Sequence, residues 1–223
     1  MDIQSCFKKA NEIDDYIDAH FDYAFDEKYG YKTTFPTNTG TGMKAGYTLH
    51  LPSLSDARRL NDISAELGRF GLKFRTVYGD GQNGYGNLYQ ISTQKTLGQD
   101  EREVIKDLDD IVLQIVNQEK EQREHFYKKD KIQMDDEIYK SYGVLKYARK
   151  LSLKDSMVLI SELMTGVSLG VLQFAHNGRY NINELIMDIQ PAVLRQNSGK
   201  AMSVAETDVL RAEYIRKYLP EII

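Results

Sequence analysis

The chain has 223 residues, 41% apolar and 28% charged, with a net charge of −4. That balance reads as soluble and globular, long enough for one large or two small domains with a core that needs no staple. It lacks the basic stripe of a nucleic-acid binder, and no run approaches the ~18 apolar residues of a membrane span. Cys6 is the only cysteine, so no internal disulfide can form. With no leader pattern at the start, the expected location is the cytoplasm.

Residues 10–20 read as the end of a helix, with Ile13, Tyr16 and Ile17 on one side. Asp14, Asp15, Asp18 and Asp22, with Asp26 and Glu27, make an acidic stretch, either a solvated helix face or a contact for a basic partner. A Thr-, Gly- and Asn-rich loop covers 33–42. Tyr47, Leu49 and Leu51 then alternate with polar residues up to Pro52, a strand pattern. Ser53 and Asp56 predict a capped helix with Leu60, Ile63, Leu67 and Phe70 facing the core and Gly71 ending it. Strands are predicted over 72–78 and 87–93, joined by the glycine-rich segment 79–86. Asp100 and Glu103 open a long helix with a buried stripe of Val104, Leu108, Ile111 and Ile115, and its polar half, 118–131, is expected to be solvated. Helices follow over 135–150, 156–164 and 183–194, and Ser203 with Glu206 forms a capping box for the last. The chain therefore divides near residue 130, with an α+β part over 1–130 and a helical part over 131–223.

Two clusters carry candidate chemistry. Thr37-Asn38-Thr39-Gly40-Thr41-Gly42-Met43-Lys44 combines glycines, hydroxyls and a cation, which suits close approach of backbone N–H groups to an anion. It lacks the ending of a Walker A loop, and alone it also fits a polar loop leading into a strand. Arg75 precedes Tyr78, Gly79, Asp80, Gly81 and Gly86, and an arginine there can fork onto phosphate oxygens. Alone, that segment also fits a long hairpin. The four histidines are scattered without metal-ligand spacing.

Taken together, and with Tyr23 through Tyr31, Pro36 through Gly42, His50-Leu51-Pro52, Tyr78 through Gly81 and Gly86 through Ser92, the sequence resembles the phosphagen (ATP:guanido) kinases. Ser141 through Leu145, Asn183 through Ile186 and Asp208 through Ala212 point to the C-terminal part of the bacterial protein-arginine-kinase branch. The resemblance implies an antiparallel sheet flanked by helices, of the guanido kinase/glutamine synthetase-like kind, followed by a helical regulatory tail. It implies ATP with Mg²⁺, proteins bearing arginine as substrates, and homo-oligomers. Residue by residue, it assigns nucleotide contacts to Lys44, Ala45, Gly46, Tyr47, Thr48, Arg75, Thr76, Val77, Tyr78, Gly79 and Asp80. Thr207, Asp208, Arg211 and Ala212 match part of a phosphoarginine pocket. No catalytic residue and no metal ligand is assigned within the chain.

The sequence also departs from that pattern. Phe35 stands where the family has cysteine and Lys44 where it has arginine, while Glu137, Lys140 and Thr207 replace further expected arginines. The family's earlier phosphate-gripping arginine segment and its paired-glutamate loop do not precede residues 1–7. A general base supplies about 10²–10⁴-fold and one charge stabiliser about 10²–10³-fold. The expectation is therefore weak or absent activity unless a separate N-terminal polypeptide completes the site. The alternatives are a non-catalytic nucleotide- or phosphoarginine-binding module that docks onto an intact kinase, or a structural fragment with neither property.

Overall fold

The alternation read between residues 46 and 93 builds a three-stranded sheet. In the computed structural model, which describes residues 2–79, 84–94, 97–175 and 182–223, the chain forms two units. The first comprises Met1–Val77 and Tyr89–Lys120, and the second Tyr78–Leu88 and Glu121–Ile223.

In the first unit, helix α1 (Ile3–Asp18) is followed by a small antiparallel pair, β1 (Phe25–Asp26) and β2 (Gly30–Tyr31). The main sheet has the order β3 (Gly46–His50), β5 (Leu88–Thr93), β4 (Leu72–Thr76). β4 runs antiparallel to β5, with Lys73 opposite Ser92 and Arg75 opposite Gln90. Successive strand side chains point to opposite faces. One face therefore carries Leu49, Leu72, Tyr89 and Ile91, which pack with Leu108, Val112 and Ile115 into one core. The other face carries Gly46, Lys73, Arg75, Gln90 and Ser92.

The helix expected from Ser53 is two helices. Pro52 opens α2 (Pro52–Asp56) at its first turn, where a missing N–H costs nothing. The chain then turns at Arg58, with φ of 56°, before α3 (Leu60–Arg69). The Ser53 side chain makes no cap. Instead the N–H groups of Ser53 and Leu54 donate to the Glu119 carboxylate at 3.1 and 2.9 Å. Phe70 is 63% exposed because it caps α3 rather than extending its buried stripe.

Asp100 accepts the N–H of Arg102 at 2.8 Å and starts α4 (Glu101–Lys129) as expected. The polar half of α4 is not wholly solvated, since Glu119 is only 2% exposed. It lies four residues beyond Ile115 and so continues the buried stripe.

Helix α1 departs from expectation in the other direction. Ile13, Tyr16 and Ile17 share a side, yet none of its residues is buried. Asp14 is no idle surface charge, because the hydroxyls of Tyr23 and Tyr31 donate to it at 3.1 and 3.4 Å.

The second unit is helical: α5 (Lys131–Tyr147), α6 (Leu153–Leu169), α7 (Ile182–Asp188), α8 (Pro191–Ser198) and α9 (Val204–Tyr218). Its core gathers Ile138, Leu145, Ile160, Leu163, Leu185 and Ile215. The single helix expected over 183–194 breaks because Pro191 opens a new one. The Ser203–Glu206 capping box forms as read from the sequence. No described helix is long and apolar enough to cross a membrane.

Glu119→Ala would leave two buried N–H donors without their carboxylate. It is expected to destabilise the protein by about 3 kcal/mol, with Glu119→Gln losing roughly half as much, measured by urea unfolding. Equal stability of all three proteins would contradict the role given to this carboxylate.

Candidate functional site

The outer face of the sheet is open beside β3 because the first residue of that edge strand, Gly46, has no side chain. A Cβ on Gly46 would stand 2.7 Å from the Ile91 carbonyl oxygen and 3.0 Å from the Ser92 Cβ. Glycine therefore lets β3 close onto β5 and leaves a bare floor above them. Thr93 fastens the same edge: its N–H donates to the Ala45 carbonyl at 2.9 Å, and its Oγ1 accepts the Ala45 N–H at 3.2 Å. The polar loop before β3 is closed by Tyr31 and Gly40, which exchange backbone hydrogen bonds at 2.8 and 3.4 Å. Gly30 allows this closure, since a Cβ there would stand 2.2 Å from the Gly40 oxygen.

These constraints shape a cleft of about 600 Å³ over the sheet. Lys44, Ala45 and Gly46 line one side, and Lys73 and Arg75 line the other. Gln90 and Ser92 of β5 lie between them. Arg75 is oriented by its Nε, which donates to Gln90 Oε1 at 2.7 Å. The terminal nitrogens are left for a second acceptor, the geometry that suits a phosphate or carboxylate. The lining holds three cationic side chains and no carboxylate. An anion with several acceptor oxygens is what such a cleft can hold. Among the described residues, no group of three His, Cys, Asp or Glu is placed to take a metal.

Of the eleven residues that the resemblance assigns to nucleotide, the structure brings Lys44, Ala45, Gly46 and Arg75 into this cleft. Tyr47 faces the core instead, and its hydroxyl donates to Asp109 at 2.6 Å. Thr48 is exposed outside the lining, Thr76 is half-buried opposite Tyr89, and Val77 is exposed. Tyr78 and Gly79 belong to the second unit, where Tyr78 stacks on Tyr85 with ring centroids 6.3 Å apart. Asp80 lies outside the described residues. Sequence reasoning missed Lys73, Gln90, Ser92 and Thr93 as cleft residues. For Lys73, Gln90 and Ser92 the signal was the strand register, which places alternate residues of β4 and β5 on the face of Arg75, whereas Thr93 belongs to the opposite face and reaches the cleft rim at the end of β5.

In the second unit, Thr207, Asp208, Arg211 and Ala212 are all buried. Arg211 donates from Nε to the Ile189 carbonyl at 3.0 Å, and from Nη1 to the Leu151 carbonyl at 2.9 Å and Asp208 at 2.7 Å. Thr207 donates its hydroxyl to the Ser203 carbonyl at 2.8 Å. This arrangement ties α9 to the turn before α6 and to the end of α7.

Two family models match the chain, one after the other. Residues 1–122 match the model of the ATP:guanido phosphotransferase C-terminal catalytic domain, and residues 131–222 that of the protein-arginine kinase McsB C-terminal domain. The chain is similar to the protein-arginine kinase of Bacillus pumilus, 39% identical over 217 residues that cover 97% of this chain and 59% of that one. It is similar also to that of Bacillus subtilis, 40% identical over 212 residues, 95% of this chain and 58% of that one. The chain thus spans about 60% of the length of these relatives. Among solved structures, the duplicated taurocyamine kinase from Schistosoma mansoni aligns with a TM-score of 0.44 at 30% identity, over 51% of this chain and 16% of that one.

Tyr47 provides a pH signature for the core beneath the cleft. Burial first, and then the bond to Asp109, pushes its phenol up to about 12. The unfolded tyrosine ionises near 10, so the stabilisation is complete below pH 10 and is lost as pH rises towards 12. Tyr47→Phe is expected to flatten the fall of stability between pH 10 and 12. Tyr23, Tyr31, Tyr78 and Tyr142, also raised by burial, retain part of the slope. Unfolding midpoints measured across that range test this, and an unchanged slope would contradict it.

Proposed function

Because the chain belongs to the ATP:guanido phosphotransferase family, we propose that its first part binds the phosphates of ATP and serves transfer of the γ-phosphoryl group to arginine side chains in proteins. The observation that carries this reading is the meeting of Lys44 and Arg75, from segments 31 residues apart, across the open floor made by Gly46. Lys44 offers a point charge and Arg75 an oriented fork, while Gly46 permits close approach of a bulky anion. Residues 1–130 form the catalytic-type domain and 131–223 a helical regulatory region. The protein works in the cytoplasm on arginine-bearing proteins, with a separate N-terminal kinase segment or an intact kinase as its partner, and as a homo-oligomer.

The residues fit ATP. Among the described residues no group of carboxylates is placed to hold Mg²⁺, so a metal there would depend on the nucleotide for ligands. When bound there, it would neutralise charge on the phosphate chain. In the transfer, the bond from the γ-phosphorus to the bridging oxygen of ADP breaks and a phosphorus–nitrogen bond forms to the guanidinium, which gives up a proton. Lys44 and Arg75 hold the phosphates and offset their charge, the main requirement of phosphoryl transfer. Among the described residues, neither a carboxylate nor an imidazole lines the cleft.

A second reading is a non-catalytic nucleotide- or phosphoarginine-binding module. It is favoured by Lys44, a point charge where the resemblance expects the fork of an arginine. Phosphoarginine recognition around Thr207, Asp208, Arg211 and Ala212 would require Arg211 to exchange its internal partners for the ligand.

Mg-ATP is expected to raise the melting temperature of the chain, and Arg75→Gln to remove that shift. Arginine phosphorylation of a protein substrate is expected once a polypeptide covering the remaining length of the relatives is added. Binding without turnover in that mixture selects the second reading, and no shift with either Mg-ATP or phosphoarginine would overturn both.

A further inference from the structure

Resting on the nucleotide reading of the cleft, we propose that Lys73 is a further phosphate-binding residue, and that it gives the site its preference for a chain of phosphates over a single one. Nothing in the resemblance assigns it a role, and its place is set by the rows across the sheet. Lys73 is opposite Ser92 on β4–β5, and Ser92 is also the residue against which Gly46 packs on the far side of β5. Gly46, Ser92 and Lys73 therefore form one row. Arg75 belongs to the next row, opposite Gln90. Rows on one face of a strand are two residues apart, roughly 6.6 Å. Long side chains at that spacing can spread over neighbouring acceptor groups, and with Lys44 they give the cleft three cations to set against the several charges of a phosphate chain. A phosphate over the Gly46 floor has Lys44 beside it and Lys73 across from it, while Arg75 addresses the neighbouring group.

Charge supports the same assignment. Lys44, Lys73 and Arg75 share one cleft, and among the described residues none of them forms an ion pair. Three like charges on one face repel one another, and a polyanion removes that repulsion. Lysine is also a poor strand residue. The competing structural role is specific: β4 is an edge of the sheet, and lysines on edges prevent pairing with other chains. An edge guard needs only a charge pointing to solvent and has no preference among ligands.

The test is isothermal titration of the full chain and its Lys73→Gln, Lys73→Arg and Arg75→Gln variants with ATP, inorganic tripolyphosphate and AMP. Lys73 is exposed, so its substitution leaves the fold intact, which the melting temperature verifies. Lys73→Gln is expected to weaken ATP and tripolyphosphate binding by about 10-fold, the scale of one charge-assisted hydrogen bond. AMP should change less than about 2-fold on the same scale, and Lys73→Arg should restore the polyphosphate affinities. If Arg75→Gln weakens ATP binding and Lys73→Gln does not, Lys73 is an edge guard and this inference fails while the nucleotide reading stands. An equal loss for AMP and ATP overturns the preference assigned to Lys73. If the unaltered chain binds none of the three, both readings fall together.

Discussion

The register of β5 between its two neighbours is the constraint on which the rest of the first unit depends. A strand slipped by one residue presents its other face. Moving β4 by one position would replace Lys73 and Arg75 with Leu72, Phe74 and Thr76 over the cleft. The register is held from three directions. Leu49, Ile91 and Leu72 are buried on the inner face, Thr93 clasps Ala45 at one edge, and the missing side chain of Gly46 lets β3 approach. Glu119 extends this control beyond the sheet by fixing the first turn of α2, immediately after β3, to α4. Polar groups set the positions and apolar burial supplies most of the stabilisation.

The outer face of the sheet gathers cations, hydroxyls and open backbone, and among the described residues the cleft lining contains no carboxylate. The second unit uses the buried Arg211 for structure: it joins two carbonyl groups and Asp208, which are far apart in sequence. A buried guanidinium left unpaired would be costly, and these partners are what make its burial tolerable.

Much of this was legible in the sequence because it rested on local rules. The period-two run at 47–51 became β3, Asp100 capped α4, and Ser203 with Glu206 closed the capping box of α9. What could not be read locally was decided by partners distant in the chain. Glu119 looked solvated until its distance from Ile115 and the orphan N–H groups of α2 were seen together. Phe70 fitted a helical stripe but fell on the cap of α3. Lys73 and Ser92 carry no motif, and only the pairing of β4 with β5 places them beside Arg75.

Backbone amide chemical shifts of the isotope-labelled chain, followed by nuclear magnetic resonance during titration with ATP, address the cleft most directly. The expected result is saturable movement concentrated at Lys44–Gly46, at residues 73–75 and at residues 90–94, with the amides of 131–223 nearly unchanged. Shifts confined to the helical unit, or none at all at saturating ATP, would contradict the assignment of the open sheet face as the phosphate site.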